Sequence, residues 1–199
     1  MTKFLLIRHA TNDTVGKIIA GRKPGVHLNE EGKLQAKNLA IRLASIGIVA
    51  VYSSPLARAV ETAEAISTAL HLTTEVNEDF IEINFGEWTG STIDELRSEK
   101  EFHHFNILRS CTRIPGGETM LEAQARFISG LDKLKVKHPN EVVAIVSHGD
   151  LIKAAVAYYA GVHLDLFQRI EISPASVTII RIGEEAIILD TVNNTEAIT

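Results

Sequence analysis

Three short runs of the chain are almost entirely apolar: residues 3–7 (KFLLI), 49–52 (VAVY) and 142–146 (VVAIV). Strands with one solvated face alternate apolar and polar residues, whereas strands covered on both faces have continuous apolar runs. We therefore predict that these three runs are buried strands of a parallel sheet. Such a sheet needs helices on both faces, which limits the fold to the α/β classes.

Four segments have the periodicity of helices that bury one face: residues 32–47, 56–70, 118–138 and 150–160. Ser54 is expected to be the N-cap of the second helix, with Pro55 at its first helical position. Gly47 and Gly161 are expected to end the first and the last helix. Helices therefore alternate with the predicted strands.

The fold class predicted by this alternation is α/β: a three-layer sandwich with a mostly parallel central sheet flanked by helices. Residues 177–182 and 186–192, joined by a Gly-Glu-Glu turn, are predicted to form a hairpin. We expect one domain over residues 1–199. Within it, the less regular residues 77–117 are expected to form a cap or flap beside the sheet.

Charge and composition limit the kinds of molecule that the protein is expected to bind. The formal net charge is −5, which does not favour nucleic acid as a partner. The apolar runs are too short for a signal peptide or a membrane span, so no membrane association is expected. Cys111 is the single cysteine, which suits a reducing cytosol, and the expected location is cytoplasmic. The oligomeric state stays open, with the apolar C-terminal hairpin as a candidate edge for a homodimer.

Each of the three predicted strands is followed by a polar cluster. The clusters are Arg8-His9, Tyr52-Ser53-Ser54-Pro55 with Arg58 one helical turn later, and Ser147-His148-Gly149-Asp150. In open α/β sheets, ligands bind beyond the carboxyl ends of the strands. Arginine side chains there suit phosphate oxygens, and helix N-termini after Ser54 and Gly149 would add backbone N–H groups. Each cluster alone also fits an ordinary turn or helix cap, but three at equivalent strand ends favour an anion site.

Five segments together resemble the histidine phosphatase superfamily, branch 1. They are LIRHA, YSSPLARAVETA, EINFGEWTG (82–90), PGGET (115–119) and VSHGD. The superfamily includes cofactor-dependent phosphoglycerate mutases, fructose-2,6-bisphosphatase and broad phosphomonoesterases. The resemblance extends from Leu5 to Asp150, about three quarters of the chain, and implies a phosphoglycerate mutase-like fold.

The resemblance also implies a role for individual residues. His9 would be the nucleophile that takes the phosphoryl group, and Glu82 the general acid and then the general base. The groups that would surround the phosphate are Arg8, Arg58, His148 and Gly149. No cofactor and no metal are implied. Glu78, Asp79 and Glu87 compete for the acid role, and Glu82 is preferred because it precedes the FGEWTG pattern.

The sequence departs from the family pattern at two places. The family's first motif commonly continues Arg-His-Gly-Glu-Ser/Thr with a phosphate-binding Asn after it, whereas this chain has Ala10-Thr11-Asn12-Asp13. Asn12 is therefore either a phosphate ligand or a turn residue. Phosphoglycerate mutases carry Arg-His-Tyr-Gly after the catalytic Glu, whereas this chain has Ile-Asn-Phe-Gly, which favours a phosphatase over a mutase.

The predicted function is a metal-independent phosphatase that hydrolyses a small phosphomonoester, a phosphorylated metabolite, through a phosphohistidine. The alternatives are a phosphoglycerate mutase-type phosphoryl transfer, a non-catalytic phospholigand-binding protein and a metal hydrolase using His9 and His148. Glu118 is expected either to cap the following helix or to touch the ligand. A basic rim that selects a second charged group of the substrate is predicted from Arg22-Lys23 with Arg109 or Arg113.

Overall fold

Six strands form one sheet in the computed structural model, which describes residues 1–196. They are β1 (Thr2–Arg8), β2 (Ile48–Ser53), β3 (Thr74–Val76), β4 (Val142–Ser147), β5 (Val177–Ile182) and β6 (Ile187–Asn194). Their order across the sheet is β3-β2-β4-β1-β5-β6. The first four are parallel, and β5 and β6 are antiparallel to their neighbours. The predicted mostly parallel sheet and the C-terminal hairpin are confirmed, while the predicted domain end at residue 199 lies outside the described residues.

The helices are α1 (Glu30–Leu43), α2 (Ala57–Leu70), α3 (Ile93–Leu96), α4 (Lys100–Ile107), α5 (Met120–Lys137) and α6 (Gly149–Ala160). Two predicted boundaries are wrong. The first helix ends at Leu43 instead of reaching Gly47, and Gly47 lies in the turn before β2 with a left-handed φ of 78°. The helix after β2 begins at Ala57 and its N-cap residue is Leu56, not Ser54.

The sheet has a hydrophobic core on each face, because alternate side chains of a strand point to opposite sides. Phe4 and Leu6 of β1 pack on the face covered by α5 and α6. Leu5 and Ile7 of the same strand pack on the face covered by α1 and α2. The continuous apolar run of residues 3–7 therefore serves two cores, and the predicted three-layer arrangement is confirmed.

Residues 77–117, predicted to be a cap, contain two 3-10 turns and two short helices. The turns are Glu78–Phe80 and Gly86–Trp88, and the helices are α3 and α4. Trp88 contacts Phe105 edge to face at 5.5 Å between ring centres and joins these pieces to the core over α5 and α6. Within residues 1–196, none of the helices combines the length and apolar character that crossing a bilayer requires.

Candidate active site

The polar clusters at three strand ends meet at one edge of the sheet. Arg8 at the end of β1 lies in register with Ser147 at the end of β4, and Ser53 of β2 pairs with Val146. A cavity of about 240 Å³ opens at this edge. Six of the seven predicted site residues line it: Arg8, His9, Asn12, Arg58, Glu82 and Gly149. We call it the phosphate cavity, after the ligand that the sequence predicts. The seventh, His148, packs against His9 with 5.2 Å between ring centres.

His9 is held in one tautomer. Its Nδ1 donates to the carbonyl of Ala10 at 2.8 Å, and the Nε of Arg58 donates to its Nε2 at 3.2 Å. Because Nδ1 carries the proton, Nε2 keeps a lone pair. Burial lowers the pKa of His9 to about 3, and the charges of Arg58 and Arg8 add to this effect. The imidazole is therefore neutral across the physiological range.

His148 is fully buried and hydrogen-bonded on both ring nitrogens. Its Nε2 lies 2.7 Å from Ser54 Oγ, and its Nδ1 lies 3.3 Å from Nη2 of Arg58. Burial, followed by the neighbouring charge of Arg58, lowers the pKa of His148 well below its usual value. The Ser54 hydroxyl therefore orients a site histidine. Its oxygen also accepts a long hydrogen bond from the backbone N of Leu56 at 3.4 Å, but the N-cap of α2 is Leu56, so the predicted helix start is wrong.

Arg8 and Arg58 are each anchored to the protein, and each keeps one buried nitrogen without an acceptor among the residues that the structure describes. Nη1 of Arg8 donates to the carbonyl of Ile172 at 2.6 Å, and Nη2 of Arg58 donates to that of Gly21 at 2.9 Å. Arg8 Nε and Arg58 Nη1 are buried and have no acceptor among residues 1–196. Gly149 leaves room for Arg8, because a Cβ there would lie 3.2 Å from Arg8 Nε.

Asn12 has the geometry of both interpretations that the sequence left open. Its Oδ1 accepts from the backbone N of Thr14 at 2.9 Å and from the Thr14 hydroxyl at 2.6 Å, as a turn residue does. Its Nδ2 is buried and finds no acceptor in the described part of the chain. Buried donors are normally paired, so this amide is available to an oxygen of a ligand.

Glu82 lies on the phosphate cavity with a carboxyl group that favours its protonated form. Burial is the largest effect on its pKa and the charge of Asp150 the next, and together they raise it to about 7. Arg58 and the backbone N–H of Ile83, which donates to Oε1 at 3.0 Å, oppose the shift. Glu82 Oε2 lies 3.7 Å from His148 Nδ1, so the carboxyl also borders the two histidines.

The segment that carries Glu82 is fixed by Glu118, a role that the sequence did not reveal. The Glu118 carboxylate accepts from Arg22 Nη2 at 2.9 Å and from the backbone N of Asn84 at 2.9 Å. Nε of Arg22 in turn donates to the carbonyl of Glu82 at 2.7 Å. The N-cap of α5 is Thr119, not Glu118. Arg22 and Asn84 are far from Glu118 in the chain, so no local pattern predicts these contacts. The only sequence signal for Glu118 is its position in the PGGET motif.

The acids that compete with Glu82 and the cations of the predicted basic rim do not line the phosphate cavity. Glu78 and Glu87 are exposed, and Lys133 Nζ binds Asp79 at 2.8 Å. Three cations of the rim are each paired with a carboxylate rather than free at the cavity mouth. The pairs are Arg22 with Glu118, Arg109 with Asp150 and Arg113 with Glu122.

Among residues 1–196, no three His, Cys, Asp or Glu side chains are grouped closely enough to hold a metal ion together. The residues that converge are instead two histidines, two arginines, one amide and one carboxyl. This set offers a nucleophile, cationic and N–H donors for phosphate oxygens, and a group that can exchange a proton near pH 7. It suits the chemistry of phosphoryl transfer.

A sequence model of the histidine phosphatase superfamily, branch 1, matches residues 4–195. The chain is 31% identical to phosphoserine phosphatase 1 of Hydrogenobacter thermophilus over 188 residues, which cover 92% of this chain and 88% of that protein. Its structure resembles Bacillus stearothermophilus YhfR with a TM-score of 0.89, at 28% identity over 96% of each chain.

A second structural neighbour is a mutant phosphoserine phosphatase from Entamoeba histolytica, crystallised in complex with phosphoserine. The TM-score is 0.88 at 25% identity, and the alignment covers all of both chains. The family model matches nearly the whole chain. The residues that converge at the sheet edge are those that the resemblance to this family predicted. The chain belongs to the histidine phosphatase superfamily, and it is a phosphatase.

Proposed function

We propose that the protein hydrolyses a small phosphomonoester through a phosphohistidine formed on His9, with Glu82 as general acid and then general base. The observation that carries this proposal is the protonation of His9 and Glu82, which line the same cavity. Nε2 of His9 has its lone pair free of a proton, and Glu82 has a pKa of about 7. A nucleophile must be unprotonated, and a general acid works best with a pKa near the operating pH.

In the first step, His9 Nε2 attacks the phosphorus atom and the bond from phosphorus to the ester oxygen breaks. Protonated Glu82 gives its proton to that oxygen, so the alcohol leaves neutral and Glu82 becomes a carboxylate. The positive charges of Arg8 and Arg58 stabilise the equatorial oxygens of the transferring group. Gly149 is the first residue of α6, and its backbone N–H is proposed to add a further donor.

In the second step, the Glu82 carboxylate takes a proton from water, and the water oxygen attacks the phosphorus. The bond from phosphorus to His9 Nε2 breaks, inorganic phosphate leaves, and His9 returns to its neutral form. Glu82 ends protonated, ready for the next substrate. The cycle is balanced without a further proton donor, because the same carboxyl group gives and regains one proton.

His148 and Asn12 are proposed to help hold the phosphoryl group. A bound phosphate dianion opposes the charge of Arg58 and so raises the pKa of His148, which turns the imidazole into a stronger donor. The unpaired Nδ2 of Asn12 supplies a neutral donor on the same cavity. Both residues would thus add hydrogen-bond donors to those of the two guanidinium groups.

A small phosphorylated metabolite is the proposed substrate, and residues 77–117 are proposed as the cap that receives the rest of the molecule. They supply Glu82, Phe85 and Ile93 to the lining of the phosphate cavity. O-phosphoserine belongs among the esters to test, because relatives are named for it. The cytoplasmic location stays a prediction from the sequence.

The proposal is tested by phosphate release from a panel of phosphomonoesters in excess EDTA, with wild-type protein and the His9→Ala variant. We expect EDTA-resistant release in the wild type and a loss of at least about 10⁴-fold in His9→Ala, because the nucleophile is removed. A rapid quench in cold base, followed by mass spectrometry, should find a phosphate group on His9 and not on another residue.

His104→Ala is the matched control, since His104 is exposed on α4 and lines neither the phosphate cavity nor its neighbour. It should retain full activity. Activity that EDTA abolishes and added metal restores would contradict the proposal in favour of a metal hydrolase. Phosphoryl exchange between positions of a phosphoglycerate without net phosphate release would instead show a mutase. Tight phosphate binding with no turnover of any ester would show a binding protein.

A further inference from the structure

A second cavity of about 450 Å³ adjoins the phosphate cavity. The two share part of their lining: Ile19, Phe85, Ile93 and Asp150. A ligand whose phosphate lies in the first cavity can therefore extend into the second. A volume of this size lies within the range of small-molecule sites in proteins.

The apolar part of the second cavity is built mainly from residues 77–117. We call it the aromatic cleft and define it by Ile19, Phe85, Ile93, Phe102 and Phe105. Its walls are fixed by further aromatic contacts. Trp88 packs edge to face on Phe102 at 5.3 Å, and the Arg109 guanidinium lies 4.4 Å above the ring of Phe105. These contacts hold two walls of the cleft in position.

The cations of this cavity are paired with groups of the protein. Arg109 is buried and donates to Asp150 Oδ2 at 3.3 Å and to Asn106 Oδ1 at 2.6 Å. Arg97, at the outer edge, forms a surface ion pair with Asp94 at 3.1 Å. A carboxylate placed in the cleft would lose its water against aromatic rings. Nε of Arg109 is buried without an acceptor among residues 1–196, but the charge of this arginine is already paired with that of Asp150. Burying an unpaired carboxylate is strongly unfavourable.

We propose that the alcohol part of the substrate carries an aromatic or bulky apolar group that lies in the aromatic cleft. This inference rests on the proposed function, because it assumes that the phosphate lies against His9. It distinguishes the substrate from phosphoserine and phosphoglycerate, whose alcohol parts are charged. A neutral ring system with one or two polar atoms fits the apolar walls and the amide group of Gln168, which also lines the cavity.

The inference is tested with three phosphate esters of primary alcohols: 2-phenylethyl phosphate, propyl phosphate and O-phosphoserine. We expect kcat/KM for the phenylethyl ester to exceed that for each of the other two by at least about tenfold, since burying a ring is favourable. Equal values for phenylethyl and propyl esters, or a preference for O-phosphoserine, would contradict the aromatic cleft as a subsite while leaving the phosphatase reaction intact.

The Ile93→Asn variant tests whether the aromatic cleft causes the preference for the phenylethyl ester, because it adds a polar group to the wall of the cleft. Ile107→Asn is the matched control, because Ile107 is 52% exposed in the neighbouring helix α4 and lines neither cavity. We expect Ile93→Asn to lower the ratio of phenylethyl to propyl kcat/KM at least about fivefold, and Ile107→Asn to keep the wild-type ratio. Equal ratios in both variants would overturn the assignment. Phe102→Ser, expected to lower the ratio in the same way, tests the opposite wall if Ile93→Asn folds poorly.

Binding of non-hydrolysable phosphonates separates this inference from the proposed function. Calorimetry with 2-phenylethylphosphonate and propylphosphonate measures the occupancy of the cleft without turnover. Tighter binding of the phenylethyl compound, by at least about tenfold, supports the cleft even if no ester is hydrolysed. Equal binding of the two contradicts it even if hydrolysis is fast.

Discussion

At the scale of single residues, the proposed mechanism depends on where His9 and Glu82 hold their protons. Burial acts on both, but in opposite directions, because it penalises the charged form of each group. It lowers the pKa of His9 to about 3 and raises that of Glu82 to about 7. Below pH 7 the pair is thus a neutral imidazole and a neutral carboxylic acid, which is the state that the first step needs.

The pH dependence of activity follows from the raised pKa of Glu82. Above about pH 7 the fraction of protonated Glu82 falls tenfold per pH unit, and kcat/KM for an alkyl phosphate should fall with it. In Glu82→Gln we expect a loss of about 10²–10⁴-fold and no such fall in the residual activity. Steady-state profiles from pH 5 to pH 9 measure both effects.

Glu87→Gln is the control for this prediction, because Glu87 is an exposed acid of the same segment. It should keep the wild-type profile. The second ionisation of the substrate phosphate, near pH 6, affects all variants alike and cancels in the comparison. A fall above pH 7 that persists in Glu82→Gln would assign the titration to another group and would remove the main support for Glu82 as the acid.

At the scale of elements, the position of Glu82 depends on two loops that touch through their backbones. The carbonyl of Pro115 accepts from the N of Glu87 at 2.9 Å, and that of Asn84 accepts from the N of Glu118 at 3.0 Å. Gly86 and Gly117 make this approach possible. A Cβ on Gly117 would lie 2.3 Å from the carbonyl oxygen of Asn84, a distance that no side chain tolerates.

Gly117→Ala should therefore displace residues 82–84 as well as destabilise the fold. We expect a loss of about 1–3 kcal/mol in the free energy of unfolding and a fall in kcat. Gly25→Ala is the matched control, since Gly25 has a left-handed φ of 71° but no atom within 4 Å of the point where the added methyl group would lie. It should lose about 1 kcal/mol and keep its kcat. Denaturant unfolding and initial rates give the two quantities, and equal kcat values in both variants would contradict the proposed role of the contact.

Elements whose sequence pattern reflects burial could be predicted from the sequence. Features that depend on contacts with residues far along the chain could not. The runs at 3–7 and 142–146 predict β1 and β4 because both faces of each strand are covered. The pattern does not predict β3 (Thr74–Val76), since three residues without an apolar run give no periodicity. The predicted N-cap Ser54 lies two residues before the actual N-cap Leu56, and its hydroxyl binds His148, 94 residues further along the chain, a contact that no local pattern reveals. The motifs named six residues that line the phosphate cavity, but they did not reveal its apolar lining by Ile19, Phe85 and Ile93.

At the scale of the whole molecule, the cationic cavity is set in a chain with a net charge of −5. Inorganic phosphate, the product of the proposed reaction, should bind there and stabilise the folded protein. At a concentration of 100 Kd the gain is about 2.7 kcal/mol, which corresponds to a rise in Tm of roughly 5–10 °C for a chain of this size. Thermal scans in phosphate, and in sodium chloride of the same ionic strength, measure this shift.

Arg8→Gln should lose most of the phosphate-dependent shift, since one of the two guanidinium groups on the cavity is removed. Arg113→Gln is its control, because Arg113 is exposed and pairs with Glu122 away from the cavity. A rise in Tm that chloride reproduces, or that Arg8→Gln retains in full, would mean that phosphate acts through general screening and not at this site.

Asp150 borders both cavities, which has a consequence for the timing of the reaction. Its charge helps to raise the pKa of Glu82, and the effect strengthens when water is excluded from the space between them. A leaving group seated in the aromatic cleft excludes that water, so arrival of the substrate would favour the acid form of Glu82. Departure of the alcohol readmits water and favours the base form that the second step needs. The substrate itself would then shift Glu82 to the protonation state that each step needs. The apparent pKa for ester cleavage would exceed that for hydrolysis of the phosphohistidine.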